Sequence, residues 1–132
     1  MPSVTGPRVL GIGGLFFKSA DTAAMRDWYG SVLGLAFEDW GGLVFLPETA
    51  AAHPGAATVF SPFKSDTDYF APSNKEFMFN LMVDDLDGML VRCAEHGVQP
   101  LDAILDEANG RFAHIMDPEG RKIELWEPKP MG

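Results

Sequence analysis

The chain has 132 residues, of which 46% are hydrophobic and 22% charged, and its formal net charge is −9 at pH 7. This composition predicts one folded globular domain and argues against a disordered protein, while the acidic excess disfavours a nucleic-acid or anionic-membrane partner. The single cysteine, Cys93, excludes an internal disulfide and falls on an apolar helical stripe, which predicts a buried structural residue. Since no apolar run approaches transmembrane length either, we expect a soluble, cytoplasmic protein.

The first half of the chain is predicted to fold as a strand, a helix and three further strands. Residues 1–7 are expected to form an irregular leader, and residues 8–18 the first strand. Asp21 is a suitable N-cap for a helix over residues 22–33, and Gly34 ends that helix. The remaining strands are predicted at residues 35–39, 42–46 and 58–63, with a surface loop at 47–57.

The second half repeats this pattern after a polar, proline-containing linker, residues 64–74. It begins with a strand at residues 76–83, and Asp85 caps a helix that ends at Gly97. The remaining strands are predicted near residues 98–101, 111–116 and 122–126.

The last two strands form a hairpin, GRFAHIMDPEGRKIELWEP, over residues 110–128. Pro118 and Gly120 supply the turn between two alternating runs. Because strand side chains alternate between faces, Glu124 should point away from the buried layer, and His114 on the opposite strand should lie beside it. The hairpin therefore predicts a carboxylate and an imidazole on one otherwise apolar sheet face, which is the candidate site.

The two halves also align as an internal repeat, for example Asp21 with Asp85 and Met25 with Met89. With paired repeats of this kind, the sequence resembles the vicinal oxygen chelate superfamily, which includes glyoxalase I, bleomycin and fosfomycin resistance proteins and extradiol dioxygenases. The resemblance is carried by FFKSADTAAMRDWYGSVLGL, VDDLDGMLVRCAEHGV and HIMDPEGRKIELWEP.

The resemblance implies an α+β fold in which two paired βαβββ modules form curved half-barrel sheets with the helices outside. The modules would be residues 8–63 and 75–128, joined by the linker, residues 64–74, into one compact domain. It also implies a homodimer in which both chains contribute to each site.

Metal-dependent members of the superfamily place one ligand on the first and one on the last strand of each module. The corresponding positions here are Gly14, Thr58, Met78 and Glu124. Only Glu124 is a good ligand for a divalent ion, although His114 or Asn80 could substitute from positions that the family does not use. We therefore expect no cofactor, with a divalent metal as the disfavoured alternative.

Glu124, assisted by His114, is the candidate for acid–base catalysis, because a carboxylate in an apolar concavity beside a histidine can move a proton. The alternative is a carboxylate that only makes hydrogen bonds inside the fold. Tyr69 and Phe70 of the linker could fold over this face as a lid, or could only pin the linker to the surface.

The other expected lining residues are mostly apolar and aromatic, which favours a flat or aliphatic organic ligand unless they simply fill a closed core. They are the predicted ligand-binding residues Gly14, Phe16, Lys18, Thr58, Phe60, Met78, Asn80, Phe112, Met116 and Trp126.

Four functions remain open on the sequence. The first is a metal-free protein that binds a small, largely apolar or aromatic organic molecule, in the manner of the bleomycin resistance proteins. The second is a glyoxalase-like lyase or isomerase in which Glu124 moves a proton with help from His114. The third is a metal-dependent lyase or dioxygenase with a rearranged ligand set, and the fourth is a purely structural or interaction role.

Overall fold

A computed structural model describes residues 6–130, so most of the predicted leader, residues 1–7, lies outside the described residues. The described chain is a mixed α+β structure with one curved, unclosed four-stranded sheet and helices, which agrees with the predicted α+β class. The elements in chain order are α1 Thr22–Leu33, α2 Pro47–Ala51, β1 Phe79–Met82, α3 Leu86–Glu95, β2 Leu105–Glu107, β3 Gly110–Met116 and β4 Lys122–Pro128.

The sheet is built around the predicted terminal hairpin, and its strand order is β1-β4-β3-β2. β1 runs parallel to β4, whereas the other two pairs are antiparallel. In the turn between β3 and β4 the amide of Asp117 donates to the Arg121 carbonyl at 2.9 Å. Gly120 has a φ of +85°, a left-handed conformation that glycine adopts without strain.

One face of the sheet packs against α1 and α3 and forms the core. Ala113, Ile115, Ile123 and Leu125 alternate along the hairpin and are almost completely buried, as the strand pattern predicts. Cys93 of α3 is fully buried in the same cluster, which confirms the predicted burial of the thiol. A fully buried aliphatic side chain of this size contributes about 1.5–3 kcal/mol, so this face supplies much of the stability.

The two long helices begin where the sequence predicts. The side chains of Asp21 and Asp85 each accept a first-turn amide, from Ala24 and Gly88, at 3.0 Å. Arg92 of α3 then ties the helices together, since its guanidinium donates to carbonyls in the last turn of α1. Caps that satisfy otherwise unpaired helix-end groups explain why these boundaries were predictable.

A buried polar group joins α1 to the hairpin turn. The hydroxyl of Tyr29 donates to Asp117 Oδ2 at 2.7 Å, and Arg121 Nη1 donates to the same oxygen at 2.9 Å. Burial and the hydrogen bond to Asp117 both raise the pKa of Tyr29, so its hydroxyl stays protonated.

The strands predicted in the first half are not formed. All four strands of the described chain lie after residue 78. The segments 8–18, 35–39, 42–46 and 58–63 are irregular, and Phe16 and Phe60 are 93% and 86% exposed. A strand needs a neighbour for its backbone groups, and the described residues offer these segments no ladder partner. The division into modules at 8–63, 64–74 and 75–128 stays a prediction.

Three smaller differences concern element limits. The predicted strand at 76–83 is shortened to β1, and the predicted loop at 47–57 contains the short helix α2. The predicted strand at 98–101 is absent, and β2 pairs with β3 further along. The Val98 amide instead donates to the Cys93 carbonyl at 2.9 Å. This amide therefore satisfies a carbonyl at the end of α3 and is not available for strand pairing.

No helix within residues 6–130 combines the length and the hydropathy that crossing a membrane requires.

Candidate functional site

The sheet face turned away from the helices carries the candidate site. Cross-strand register places Asn80 of β1 beside Glu124 of β4, and Glu124 beside His114 of β3. These residues alternate with the apolar ones that face the helices. The structure therefore brings together the two predicted catalytic residues, Glu124 and His114, and one predicted ligand-binding residue, Asn80.

Glu124 is the centre of a hydrogen-bond cluster and is only 7% exposed. Asn80 Nδ2 donates to Oε1 at 2.7 Å, and His114 Nε2 lies 2.8 Å from Oε2. The Tyr69 hydroxyl donates to the same Oε2. Because an ionised carboxylate can only accept, His114 acts as the donor through Nε2. Both carboxylate oxygens are thus satisfied, which is what a buried charge requires.

The pKa of Glu124 reflects two opposed effects. Burial favours the neutral carboxyl and raises the pKa, whereas hydrogen bonds from His114, Tyr69 and Asn80 favour the carboxylate and lower it. The hydrogen bonds prevail, so the pKa lies below its ordinary value of 4.5. Glu124 is therefore an ionised acceptor near neutral pH, unlike a general acid, whose pKa must be raised.

Tyr69 reaches this cluster from the linker. Its hydroxyl oxygen lies 3.3 Å from His114 Nε2, and its ring stands edge-on to the imidazole with centroids 5.6 Å apart. Lys122 Nζ donates to the Tyr69 carbonyl at 2.6 Å and lies 5.0 Å from the centre of the Tyr69 ring. Tyr69 therefore closes over Glu124, which is the geometry expected of a lid.

The aromatic residues beside Tyr69 hold the linker in place. Phe63 stacks on the Tyr69 ring with centroids 5.8 Å apart, and Phe70 packs on Phe63 at 5.1 Å. Phe70 thus fits the alternative role, that of an aromatic side chain that pins the linker to its surroundings.

A cleft of about 330 Å³ opens beside Tyr69. Glu124 is not among the residues that line the cleft, but Tyr69, whose hydroxyl donates to Glu124 Oε2, is one of them. The residues that line the cleft are Asp68, Tyr69, Ala71, Asp102, Leu105, His114 and Lys122.

Three more predicted ligand-binding residues lie on the same face of the hairpin. Phe112 and Trp126 are cross-strand partners whose rings stack with centroids 6.0 Å apart. Trp126 also donates through Nε1 to the Asn109 carbonyl at 3.0 Å. Met116 pairs with Lys122 at the other end of the face. The aromatic pair thus forms an apolar wall next to the polar cluster.

The other predicted ligand-binding residues are not brought to Glu124. Phe16, Lys18 and Met78 line a separate groove of about 520 Å³, which Arg121 also lines. Thr58 and Phe60 are exposed. These residues and Gly14, which lies against the Phe16 ring, belong mostly to the segments that form no sheet here. Their role in binding stays a prediction.

Two residues that contact Tyr69, Lys122 and Phe63, were missed by the sequence analysis. Lys122 shares the face of Glu124 by the same alternation that identified His114, so the signal was present. Phe63 falls in the segment predicted as a strand at 58–63, and nothing in its pattern pointed to the linker.

The donor set does not fit a divalent metal ion. No group of three or more His, Cys, Asp or Glu side chains within residues 6–130 is arranged to hold one. His114 Nε2 and both oxygens of Glu124 are already engaged with each other, with Tyr69 and with Asn80. The absence of a cofactor stays a prediction.

A sequence model of the glyoxalase-like domain matches residues 14–126, which is most of the chain. The chain belongs to the glyoxalase-like domain family. This match confirms the resemblance to the vicinal oxygen chelate superfamily. Among curated proteins, none matches this glyoxalase-like domain.

Solved structures give a second comparison. A protein of unknown function from Agrobacterium tumefaciens strain C58 matches 92% of this domain and 100% of its own chain, at 20% identity and a TM-score of 0.54. A glyoxalase/bleomycin resistance protein from Catenulispora acidiphila DSM 44928 matches 83% of the domain and 90% of its own chain, at 26% identity and a TM-score of 0.43. An integron cassette protein from V. cholerae matches 91% and 98%, at 18% identity and a TM-score of 0.47. The first similarity supports the fold.

Proposed function

We propose that this glyoxalase-like domain binds a small, largely apolar or aromatic organic molecule at the Glu124 face without a metal ion. The observation that carries the proposal is the state of Glu124. Asn80 and His114 hold the carboxylate in place from the sheet itself, and within residues 6–130 its one further hydrogen-bond partner, Tyr69, comes from an irregular linker. A fixed acceptor behind a displaceable side chain is suited to orienting a ligand.

The surroundings supply the rest of a binding site. The cleft of about 330 Å³ falls within the range of roughly 300–1,000 Å³ that is usual for small-molecule pockets. The stacked rings of Phe112 and Trp126 lie on the same face as Glu124 and offer an apolar wall. Burial of apolar ligand surface there would contribute most of the affinity, and the polar cluster would set the orientation.

Catalysis by the same residues is the second candidate function. The Glu124–His114 contact of 2.8 Å is within the range that proton transfer needs, so a lyase or isomerase could use this pair. The lowered pKa of Glu124 fits a weak base better than an acid. Turnover that is abolished in Glu124→Gln while ligand binding persists would favour catalysis over simple binding.

A thermal-shift screen against aromatic and aldehyde metabolites tests the binding proposal, because a ligand of the folded state raises its melting temperature. We expect some compounds to stabilise the wild type and to lose their effect in Glu124→Gln. Asp87→Asn is the matched control, since Asp87 is an exposed carboxylate that pairs with Arg111 away from the site. Equal shifts in wild type and Glu124→Gln, or shifts that a chelator removes, would contradict metal-free binding at Glu124.

We also propose that the domain forms a homodimer. Large apolar side chains of the first half are strongly exposed in a single chain, among them Phe16, Val59 and Phe60. Exposed apolar surface of this extent is typical of an interaction site, and a second copy offers the same segments as partners.

Light scattering coupled to size-exclusion chromatography tests the dimer. We expect the mass of two chains for wild type and a shift towards one chain for Phe60→Ser. Val91→Ser is the control, because Val91 is an exposed apolar residue on α3. A wild-type mass of one chain at all concentrations would contradict the proposal.

A further inference from the structure

The side chain of Tyr69 is bound by the site in the way that a ligand would be. Its hydroxyl donates to Glu124, its ring packs perpendicular to the His114 ring, and Lys122 places an ammonium group 5.0 Å from the ring centre. Phe63 stacks on the same ring. Every part of a phenol, both the hydroxyl and the aromatic ring, thus has a complementary partner.

The position taken by the Tyr69 hydroxyl selects for a hydrogen-bond donor. Glu124 Oε1 is held by Asn80 and Oε2 by His114, and both partners belong to the sheet. Without Tyr69, Oε2 keeps His114 but has an acceptor position free. Because an ionised carboxylate cannot donate, a hydroxyl group satisfies that position, whereas a ketone or carboxylate oxygen leaves it unsatisfied.

The charge around the cleft selects for a neutral molecule. Two acidic residues, Asp68 and Asp102, line the cleft together with one lysine, Lys122, and the Tyr69 hydroxyl at this cleft donates to a third carboxylate, that of Glu124. A carboxylate or phosphate ligand would be repelled here. An ordinary phenol has a pKa of about 10 and is neutral at physiological pH.

The linker can release Tyr69 without disturbing the sheet. Among the described residues, the other hydrogen bonds between linker and sheet region are from Lys122 Nζ to the Tyr69 carbonyl and from Ser73 Oγ to the Gly120 carbonyl. The linker has no strand or helix of its own. Release of Tyr69 breaks the contacts of its own side chain and the packing of Phe63 on Tyr69, and the strand pairing of the sheet does not depend on either.

We propose that the Glu124 site recognises phenols, neutral aromatic rings that carry a hydroxyl group, and that Tyr69 occupies the phenol position until a ligand displaces it. This inference rests on the proposed binding function and adds the class of ligand. It predicts competition between Tyr69 and the ligand, so the ligand's apparent affinity in wild type is reduced by the fraction of chains in which Tyr69 is in place.

Calorimetric titration of the full chain at neutral pH tests the proposal with three matched compounds. p-Cresol is the tyrosine side chain as a free molecule, toluene lacks its hydroxyl, and p-toluate carries a negative charge. In Tyr69→Ala we expect p-cresol to bind about tenfold or more tightly than toluene, because a hydrogen bond to a charged group is added. We expect p-toluate to bind more weakly than p-cresol, and p-cresol to bind wild type more weakly than Tyr69→Ala.

The double variant Tyr69→Ala/Glu124→Gln is the control, and its preference for p-cresol over toluene should fall. Equal binding of p-cresol and toluene to Tyr69→Ala, or tighter binding of p-toluate, would overturn the phenol assignment and leave organic-ligand binding intact. Absence of binding for all three compounds, together with a thermal-shift screen in which no compound stabilises the protein, would overturn the phenol assignment and the proposed binding function.

A measurement on wild type covers the case in which Tyr69→Ala fails to fold. Fluorine NMR of p-fluorophenol and fluorobenzene should show stronger line broadening of p-fluorophenol by the protein. Equal broadening of the two compounds would overturn the proposal.

Discussion

The two faces of the sheet are made by alternate residues of the same strands, yet they differ in kind. On the helix side Ile115, Ile123 and Leu125 are fully buried among apolar neighbours. On the other side His114 and Glu124, their immediate neighbours in sequence, form a hydrogen-bonded polar cluster. One hairpin thus provides both the stable core and the chemistry, and a shift of one residue in register would exchange them.

The two faces also stabilise the fold in different ways, one by apolar burial and the other by hydrogen bonds. On the helix side each buried apolar side chain adds to the free energy of unfolding, and truncating one of them leaves a cavity. The polar cluster contributes little net stability while it is complete, because its hydrogen bonds replace bonds to water. Removing one partner leaves a buried polar group unsatisfied, which lowers the free energy of unfolding. Substitutions on the two faces should therefore differ in the size of this loss and in its sensitivity to pH.

The largest expected effect is a core deletion. Leu125→Ala should lower the free energy of unfolding by about 2–5 kcal/mol, since Leu125 is fully buried against both helices. Met82→Ala is the matched control on a neighbouring strand, because Met82 is 38% exposed and should lose much less. Urea denaturation measures both, and equal losses would show that the two faces are packed alike.

The two tyrosines of the chain give the next contrast, since each donates its hydroxyl to a carboxylate. Tyr29→Phe should cost about 1.5–3 kcal/mol, because it removes a charge-assisted hydrogen bond and leaves Asp117 buried with one donor fewer. Tyr69→Phe should cost about 0.5–1.5 kcal/mol, because its ring is half-exposed and water can replace the hydroxyl. A larger loss for Tyr69→Phe would mean that the linker is a fixed part of the core.

The sequence predicts the second half of the fold better than the first, for a physical reason. Helix caps, Asp21 in the first half and Asp85 in the second, and the alternation around Glu124 are local signals, and the structure confirms them. Strands in residues 8–63 depend on distant pairing partners, which propensity cannot supply. Their apolar alternation was real, but the described chain gives them nothing to pair with.

In the candidate site, the residues on strands were predictable from the sequence, whereas the contact made by the linker was not. His114 and Asn80 follow from strand register once Glu124 is placed. Tyr69 was a possible lid from composition alone, but its contact with Glu124 depends on the path of an irregular linker. No periodicity encodes such a path, so the contact between Tyr69 and Glu124 cannot be predicted from the sequence alone.

A smaller effect is expected at Asn80, on the Glu124 face of the edge strand β1. Asn80→Ala removes the donor to Glu124 Oε1 and should cost about 1 kcal/mol, since the exposed position lets water replace part of the bond. Asn74→Ala, at an exposed linker position, should change the free energy of unfolding by less than about 0.5 kcal/mol. Urea denaturation again gives the measurement, and indistinguishable variants would mean that Asn80 does not support the carboxylate.

The smallest expected effect is a pH dependence confined to the polar face. Burial and hydrogen bonds act in opposite directions on Glu124, and the net result is a pKa below 4.5 in the folded chain. A carboxyl whose pKa is lowered by folding adds stability above its unfolded pKa, and this contribution is lost as the pH falls through the folded pKa. The stability advantage of wild type over Glu124→Gln should therefore shrink on acidification from about pH 7 to below about pH 4.

Urea denaturation across this pH range measures that difference. Other carboxyls with lowered pKa, such as Asp87 and Glu119, are present in both proteins and cancel in the comparison. Leu125→Ala provides the contrast from the helix face, since its deficit should stay constant with pH because no titrating group is removed. If the Glu124→Gln difference were equally constant, Glu124 would titrate alike in the folded and unfolded chains, and the hydrogen bonds from His114, Tyr69 and Asn80 would not be favouring its ionised form.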